Sequence, residues 1–249
     1  MLREVLDVAK KDGRWTECPS CSEIIITQKL KENLWVCHHC EYHFRLSARQ
    51  RIDIVCDQGS FNEISQSEAD SEEKGQIAEE AICGGEATID GCKFILGVMD
   101  FSHKGGTMGV MVGQHVIHLM NTASLEGIPL VFFCASGGVR IQEGIWGLFQ
   151  MLRTTHARNQ TRHVPMITVF TDPTTGGVSA SFSALADVLF AEPGSRIGFA
   201  GPRVIEATLQ CTLPSDFQNA EKLLSNGLLD RIVHRHELRD TLSLLLRWF

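Results

Sequence analysis

Four cysteines near the start of the chain have the spacing of a metal site. Cys18 and Cys21 form one C-x-x-C pair, and Cys37 and Cys40 form a second pair after fifteen intervening residues. Each pair can direct two sulfur atoms at one ion, and two such pairs at this separation are typical of a closed, four-thiolate zinc site. The sequence therefore predicts a zinc ribbon that binds one structural Zn²⁺ per chain. Unrelated cysteines or a redox pair are the alternatives.

Two glycine pairs follow apolar segments and have the composition of sites built from backbone groups. Gly137 and Gly138, here called the first glycine joint, follow PLVFFCAS; Gly176 and Gly177, the second glycine joint, follow VPMITVFTDPTT. Glycine lets a ligand approach the backbone closely, and N–H groups at the start of a helix carry partial positive charge. Such a joint can bind a phosphate or stabilise a developing oxyanion. A tight turn is the alternative for each joint.

Motifs for other kinds of catalysis are absent from the sequence. It contains no G-x-S-x-G, no H-E-x-x-H, no G-x-x-x-x-G-K-[ST] and no sound G-x-G-x-x-G. Nucleophilic hydrolysis, metalloprotease chemistry and binding of ATP or a dinucleotide therefore lack support. A site made of backbone N–H groups stabilises an oxyanion and leaves covalent chemistry to a cofactor.

The segments that must position these glycines alternate between strand-like and helix-like patterns. GGEATID and CKFILGVMD, joined at Asp90-Gly91, predict a hairpin. Apolar runs bounded by glycine or proline predict strands buried on both faces at PLVFFCA, VPMITVFT and RIGFA. Apolar residues at helical spacing predict helices over 112–123 and 238–249. Together these elements indicate an α/β layered core.

We expect three parts along the chain. Residues 14–46 form the zinc ribbon, residues 47–80 a helix capped by Ser47 and an acidic linker, and residues 81–249 the α/β domain. The linker is SQSEADSEEKGQIAEE, residues 65–80, which has almost no apolar content.

Composition narrows the class of protein. The 249 residues include 30 acidic and 23 basic side chains, a net charge of −7, which is opposite to the balance of most nucleic-acid-binding proteins. The apolar runs are shorter than a membrane span requires, and the first residues lack a secretory signal core. Nine cysteines without such a signal argue against a disulfide framework. We therefore expect a soluble cytoplasmic protein.

Several segments, in order, resemble the β subunit of bacterial acetyl-CoA carboxylase carboxyltransferase. The resemblance extends from about Trp15 to Val233. It is carried by the doubled cysteine pair and by GTMGVMVG, ASGGVRIQEG, DPTTGGVSASF, AEPGSRIGFAGPRVIE and LPSDFQNAEKLLSNGLLD.

The resemblance implies a zinc ribbon followed by a crotonase-like (ClpP/crotonase) spiral of ββα units. It implies transfer of a carboxyl group from carboxybiotin to acetyl-CoA, or to a related acyl-CoA, giving malonyl-CoA. Biotin is then carried on a separate biotin carboxyl carrier protein. The site lies between this chain and a homologous α-type subunit, in a heterotetramer of two α and two β chains.

The resemblance also assigns roles to individual residues. Cys18, Cys21, Cys37 and Cys40 match the zinc ligands, and Gly176 and Gly177 match the backbone oxyanion pair. The acyl-CoA side is lined by the residues that match Gly137, Gly138, Arg140 and Arg203.

Two departures from the family indicate a divergent member. The stretch between the ribbon helix and the first core strand is short, and Val139 stands where alanine is usual. Two other functions stay open: a biotin-independent crotonase-type enzyme such as a malonyl-thioester decarboxylase, and a nucleic-acid-binding protein that uses the ribbon. His38, His39 and His43 could form a patch for phosphate or nucleic acid, but a solvated face of the ribbon is the preferred interpretation. An acidic pI near 5.8 also opposes the nucleic-acid alternative.

Overall fold

The computed structural model describes residues 13–65, 80–214 and 216–249. The chain divides into two compact units, Met1–Leu46 and Ser47–Phe249. Most of the predicted acidic linker, residues 66–79, lies outside the described residues.

The first unit is a small cysteine-containing module. Strand β1 (Trp15–Glu17) pairs antiparallel with β2 (Ile24–Ile26), and helix α1 (Thr27–Glu32) follows directly. Ile25 and Leu30 are buried beside Cys18 and Cys37, so the small core surrounds the sulfur atoms.

The sequence also predicts short strands at EIIITQ and NLWVC, but among these two segments only EIIITQ contains one. Leu34 and Trp35 have φ angles of 52° and 60°, which place them in the left-handed region and interrupt any strand. Only an isolated bridge between Val36 and His43 remains.

In the described part of the second unit, eight strands form one sheet. Its order is β10-β8-β7-β6-β5-β4-β3, with β9 paired to β7. The strands from β5 to β10 along this path run parallel, whereas β3, β4 and β5 are antiparallel neighbours. The strands are β3 (Asn62–Glu63), β4 (Ile82–Ile89), β5 (Cys92–Met99), β6 (Leu130–Ser136), β7 (Met166–Thr175), β8 (Val188–Ala191), β9 (Ile197–Gly198) and β10 (Arg231–Ile232).

Helices cover both faces of this sheet. Phe132 and Phe133 are both buried but belong to different core clusters, because successive strand residues point to opposite faces. The helices are α2 (Ala48–Val55), α3 (Val110–Glu126), α4 (Ile145–Gln160), α5 (Gly176–Ser179), α6 (Pro202–Leu209), α7 (Ala220–Ser225) and α8 (Arg235–Leu246). Helix α3 packs on the face of Phe132, and helices α2 and α8 pack on the face of Phe133. Among the described residues, no helix combines the length and apolar character of a membrane span.

Local predictions from the sequence are largely confirmed in this unit. Strands β4 and β5 form the hairpin, with Asp90 and Gly91 both at positive φ in the turn. Ser47 caps α2 and forms a capping box with Gln50. Strand β9 is shorter than predicted, and α8 ends at Leu246, before Phe249.

Candidate active site and metal centre

The four cysteines of the first unit converge on one point. Their Sγ atoms all lie within 4.8 Å of one another, with Cys18 and Cys40 at 3.6 Å and Cys21 and Cys37 at 3.8 Å. Four Zn–S bonds of about 2.3 Å in a tetrahedron place the sulfurs roughly 3.8 Å apart, so these residues fit the ion. The backbone N–H of His39 also donates to Cys37 Sγ at 3.4 Å, as outer groups do around bound thiolates.

The two glycine joints lie against each other at the carboxyl ends of neighbouring parallel strands. The first joint follows β6 and the second follows β7. A Cβ atom on Gly176 would stand 2.8 Å from the Cα of Gly138, and Gly176 and Gly138 have φ angles of 65° and 111°. Both the contact and the backbone conformation therefore require glycine here.

The N–H groups of the two joints differ in their hydrogen bonding. In the first joint, Gly137 N–H donates to the carbonyl of Gly105 at 2.9 Å, and Gly138 N–H donates to Ser136 Oγ at 3.0 Å. In the second joint, Gly176 and Gly177 begin helix α5, where a helix offers no acceptor for its own first N–H groups. The second joint is thus the one whose donors suit an oxyanion.

Hydroxyl groups hold the second joint in place. Thr174 Oγ1 donates to the carbonyl of Cys134 at 2.6 Å, and Thr175 Oγ1 donates to that of Ser136 at 3.2 Å. Ser179 Oγ lies 2.9 Å from the carbonyl oxygen of Gly176 and 2.8 Å from that of Gly198. The hydroxyl of Ser179 therefore links the second joint to the segment that contains Gly198.

Val139 covers one side of the second joint. A Cβ atom on Gly177 would collide with the Cγ2 of Val139 and would lie 2.8 Å from Met151 Sδ. The residue after the first joint therefore packs on the second joint, and any side chain at position 177 would push the two apart.

Arg140 is buried, and its guanidinium is hydrogen-bonded to other groups of the protein. A guanidinium has five N–H donors. Within the described residues all five are engaged: Nε bonds Thr107 Oγ1, Nη1 bonds Glu80 and Glu143, and Nη2 bonds Glu80 and the Thr107 carbonyl. Hydrogen bonding to Glu80 raises the pKa of Arg140. Burial alone would raise the pKa of Glu80, but the bonds and charge of Arg140 outweigh burial and lower it.

Glu143 is a residue of this network that the sequence reasoning missed. Its Oε1 accepts from Arg140 at 3.1 Å, and its Oε2 accepts from the backbone N–H of Val110, the first residue of α3, at 2.6 Å. The helix has Gly109 at its N-cap, so Glu143 supplies the cap from another loop. The only local sign in the sequence is the three-residue spacing of Arg140 and Glu143.

Arg203 lies in the first turn of α6, and its side chain is outside the described residues.

An exposed apolar face follows the first joint. It lies on the 3₁₀ turn Ile141–Glu143 and on α4, and its side chains are 46–80% exposed. We call it the α4 face; it consists of Ile141, Ile145, Trp146, Leu148, Phe149 and Leu152. Four of these residues recur at helical spacing on α4, which makes one continuous stripe.

Comparison with known proteins gives consistent matches. The model of the carboxyl transferase domain matches residues 43–235. The acetyl-coenzyme A carboxylase carboxyl transferase subunit beta of Desulforamulus reducens is 42% identical over 94% of this chain and 87% of its own length. A relative from Natranaerobius thermophilus, named as subunits beta/alpha, is 41% identical over 95% of this chain and 42% of its own length.

Among solved structures, transcarboxylase 12S has the same fold. That structure, with methylmalonyl-coenzyme A and methylmalonic acid bound, matches with a TM-score of 0.72 and 26% identity, over 81% of this chain and 41% of the transcarboxylase chain. The predicted crotonase-like α/β fold is thereby confirmed.

Proposed function

The chain belongs to the carboxyl transferase family, and we propose that it acts as the β subunit of an acetyl-CoA carboxylase carboxyltransferase. In this reaction a carboxyl group moves from carboxybiotin to acetyl-CoA, giving malonyl-CoA. The observation that carries the proposed site is the second glycine joint, with two N–H groups at the start of α5.

The chemistry requires stabilised negative charge on the substrate. Acetyl-CoA must lose a proton from the carbon beside the thioester, and the resulting charge collects on the thioester oxygen. We assign the N–H groups of Gly176 and Gly177 to this oxygen, since fixed donors at a developing oxyanion lower the barrier. A new bond forms between the carboxyl carbon and the carbon beside the thioester, as the bond between the carboxyl carbon and the biotin nitrogen breaks. The proton lost from acetyl-CoA ends on that biotin nitrogen. Biotin, bound on a separate carrier protein, supplies the carboxyl group.

The first glycine joint has a different task in this proposal. The N–H groups of Gly137 and Gly138 are bonded within the protein, so the joint serves by its lack of side chains, which lets the acyl-CoA approach the second joint. Arg140 holds this loop rather than the substrate. Arg203 remains a proposed acyl-CoA contact, on the strength of its place in the GFAGPRVIE segment.

We propose that Cys18, Cys21, Cys37 and Cys40 hold one structural Zn²⁺. The metal content of the purified chain, measured by atomic emission, tests this: one zinc per chain is expected, and Cys37→Ser should release it. Because zinc binding stabilises small thiolate modules by about 10–16 kcal/mol, the first unit should lose its structure without the ion. Cys92→Ser, a change at a cysteine outside the cluster, is the control. A folded first unit in a zinc-free protein contradicts the proposal.

A partner of the α type completes the site in this proposal. The α4 face offers the partner a contiguous apolar surface close to the first joint, and such surfaces on a soluble chain mark docking sites. A relative that is named for both β and α subunits indicates that the two are made to work together. We expect a heterotetramer of two α and two β chains that receives the biotin carboxyl carrier protein. We also propose a cytoplasmic location, since none of the nine cysteines, all within the described residues, forms a disulfide.

Activity with and without the partner tests the proposed function. The β-type chain is combined with the α-type chain of the same source, and the loss of malonyl-CoA is measured with free biotin as carboxyl acceptor. We expect biotin-dependent turnover of the mixture and none of either chain alone. Turnover without biotin would favour the decarboxylase alternative, and turnover by the isolated β-type chain would remove the need for a partner.

A further inference from the structure

We propose that Glu143 is a positioning residue for carboxyl transfer: through Arg140 and the start of α3, its carboxylate holds the first glycine joint against the second. This inference rests on the proposed function, since it concerns the geometry of the same site. It adds a residue that touches no substrate and acts through two other groups.

Glu143 connects parts of the chain that are separate in sequence. One carboxylate oxygen is bonded to Arg140 in its own loop, and the other is bonded to the N–H of Val110 on α3. Since the second bond caps a seventeen-residue helix, movement of Glu143 costs both an ion pair and a cap. A Cβ atom on Gly109 would collide with the carboxylate of Glu143, so the carboxylate fits only because residue 109 is a glycine.

Arg140 passes this restraint to the neighbouring elements. It forms a two-bond ion pair with Glu80, and it bonds both the side-chain and backbone oxygens of Thr107. The side chains of Arg140 and Glu80 are 7% and 8% exposed, so the pair is shielded from water. Removing one member of a buried charge pair leaves the other member without a compensating charge. The loss of one charged group therefore weakens the rest of the network.

Backbone bonds then connect the network to the glycine joints. Met108 N–H donates to the carbonyl of Gly138 at 2.8 Å, and Arg140 N–H donates to the carbonyl of Met108 at 2.9 Å. Gly138 in turn lies against Gly176, where a Cβ atom on Gly138 would stand 3.1 Å from the Cα of Gly176. Displacement of the loop that contains Glu143 therefore displaces the contact between the two joints.

Kinetics should distinguish positioning from simple stabilisation. The test uses the complex with the α-type subunit and compares Glu143→Gln with wild type, because glutamine keeps the size of the side chain and removes its charge. We expect kcat to fall about 10-fold to 100-fold, because misplaced reacting groups react more slowly. The KM for acetyl-CoA should stay within about twofold of the wild-type value. Glu237→Gln is the matched control: it also removes a carboxylate paired with an arginine, but this pair is 55–62% exposed.

A second variant guards against a folding defect. Arg140→Lys keeps the charge but lacks the forked donors, and the double variant Arg140→Lys/Glu143→Gln should lose less than the product of the two single losses, since both act through one network. Thermal unfolding of each complex gives the folded fraction, and kcat is calculated per folded molecule.

The outcomes separate this inference from the function on which it rests. If wild type transfers carboxyl groups and Glu143→Gln matches it in kcat per folded molecule, the positioning role is refuted and the function stands. A lower melting temperature with unchanged kcat means that Glu143 is only structural, which also refutes the role. If wild type with its partner shows no biotin-dependent transfer, the proposed function itself fails.

Discussion

The two glycine joints have the same construction in sequence and opposite uses in the structure. Each is a glycine pair that follows an apolar strand, and the two strands are parallel neighbours. After β6, the chain bonds its glycine N–H groups to Gly105 and Ser136, and the next α-helix begins only at Ile145. After β7, a helix begins at the first glycine, and its leading N–H groups have no acceptor within that helix.

In our proposal, the following helix, rather than the glycine pair, decides whether a joint can stabilise an oxyanion. The two joints also differ in the forces that hold them. The first depends on charged groups, namely Glu80, Arg140 and Glu143. The second depends on the hydroxyls of Thr174 and Ser179, which do not titrate near neutral pH.

The largest effect should come from Gly176→Ala. Alanine at a φ of 65° is strained, and its Cβ atom would stand 2.8 Å from Gly138, so the donors must move away from the oxyanion. Loss of one such donor typically lowers turnover by about 10²-fold to 10³-fold, and we expect a loss of that size in kcat for carboxyl transfer by the complex.

Gly127→Ala is the matched control for this prediction. Gly127 has the same φ of 65°, at the end of α3, but a Cβ atom there meets nothing within 4 Å. It should lose about 1–2 kcal/mol of stability from strain and keep its kcat. Similar losses of kcat in both variants would mean that strain alone is responsible and that the second joint is only a turn.

A smaller effect, on stability rather than activity, is expected from Ser136→Ala. The Ser136 hydroxyl is fully buried, accepts from Gly138 N–H and donates to the carbonyl of Gly106 at 2.6 Å. Its removal leaves buried polar groups unpaired, which costs about 1–3 kcal/mol in the free energy of unfolding, measured by urea denaturation. The rate of carboxyl transfer per folded complex should fall less than about tenfold, which is far less than the loss caused by removing an oxyanion donor.

Ser225→Ala serves as the control, because its hydroxyl bonds a backbone carbonyl in an exposed helix. If Ser136→Ala instead kept its stability and lost about 10²-fold in kcat, the first joint would hold the working donors, and the comparison between the joints would be reversed.

The sequence predicted the features that depend on neighbours along the chain. The cysteine spacing predicted the cluster of four sulfur atoms, since each C-x-x-C turn brings two of them together. The apolar run before the first joint predicted β6, because a strand covered on both faces needs no polar alternation. Asp90-Gly91 predicted the hairpin, since both residues must adopt positive φ.

The features that depend on distant residues were not predicted. The pairing of Arg140 with Glu80 was not predicted, because Glu80 lies sixty residues earlier in the chain. The occupied donors of the first joint depend on Gly105, which only the fold brings near. The role of Glu143 as the cap of α3 was not predicted, because capping residues are expected next to the helix in sequence and Glu143 lies in another loop.

The smallest expected effect is a loss of stability as the pH falls. It tests whether the surroundings of the first joint are more sensitive to pH than those of the second joint. His115 lies on α3, the helix that Glu143 caps, and burial lowers its pKa to about 4. The nearby His118 lowers this pKa further, whereas Glu63 opposes the shift.

Between pH 6.5 and 4 the unfolded chain therefore binds a proton at His115 that the folded chain does not, so stability falls as the pH falls. The loss is on the order of 1 kcal/mol per pH unit between pH 6.5 and 5. Urea denaturation of wild type at pH 7 and pH 5 should show it, and His115→Gln should lose most of this dependence. His156→Gln, at an exposed position on α4, should keep it. If His115→Gln and wild type lost equal stability between pH 7 and pH 5, His115 would not be the sensitive group. Glu80 could not explain such a loss, because its pKa is lowered and its contribution to stability disappears only at more acid pH.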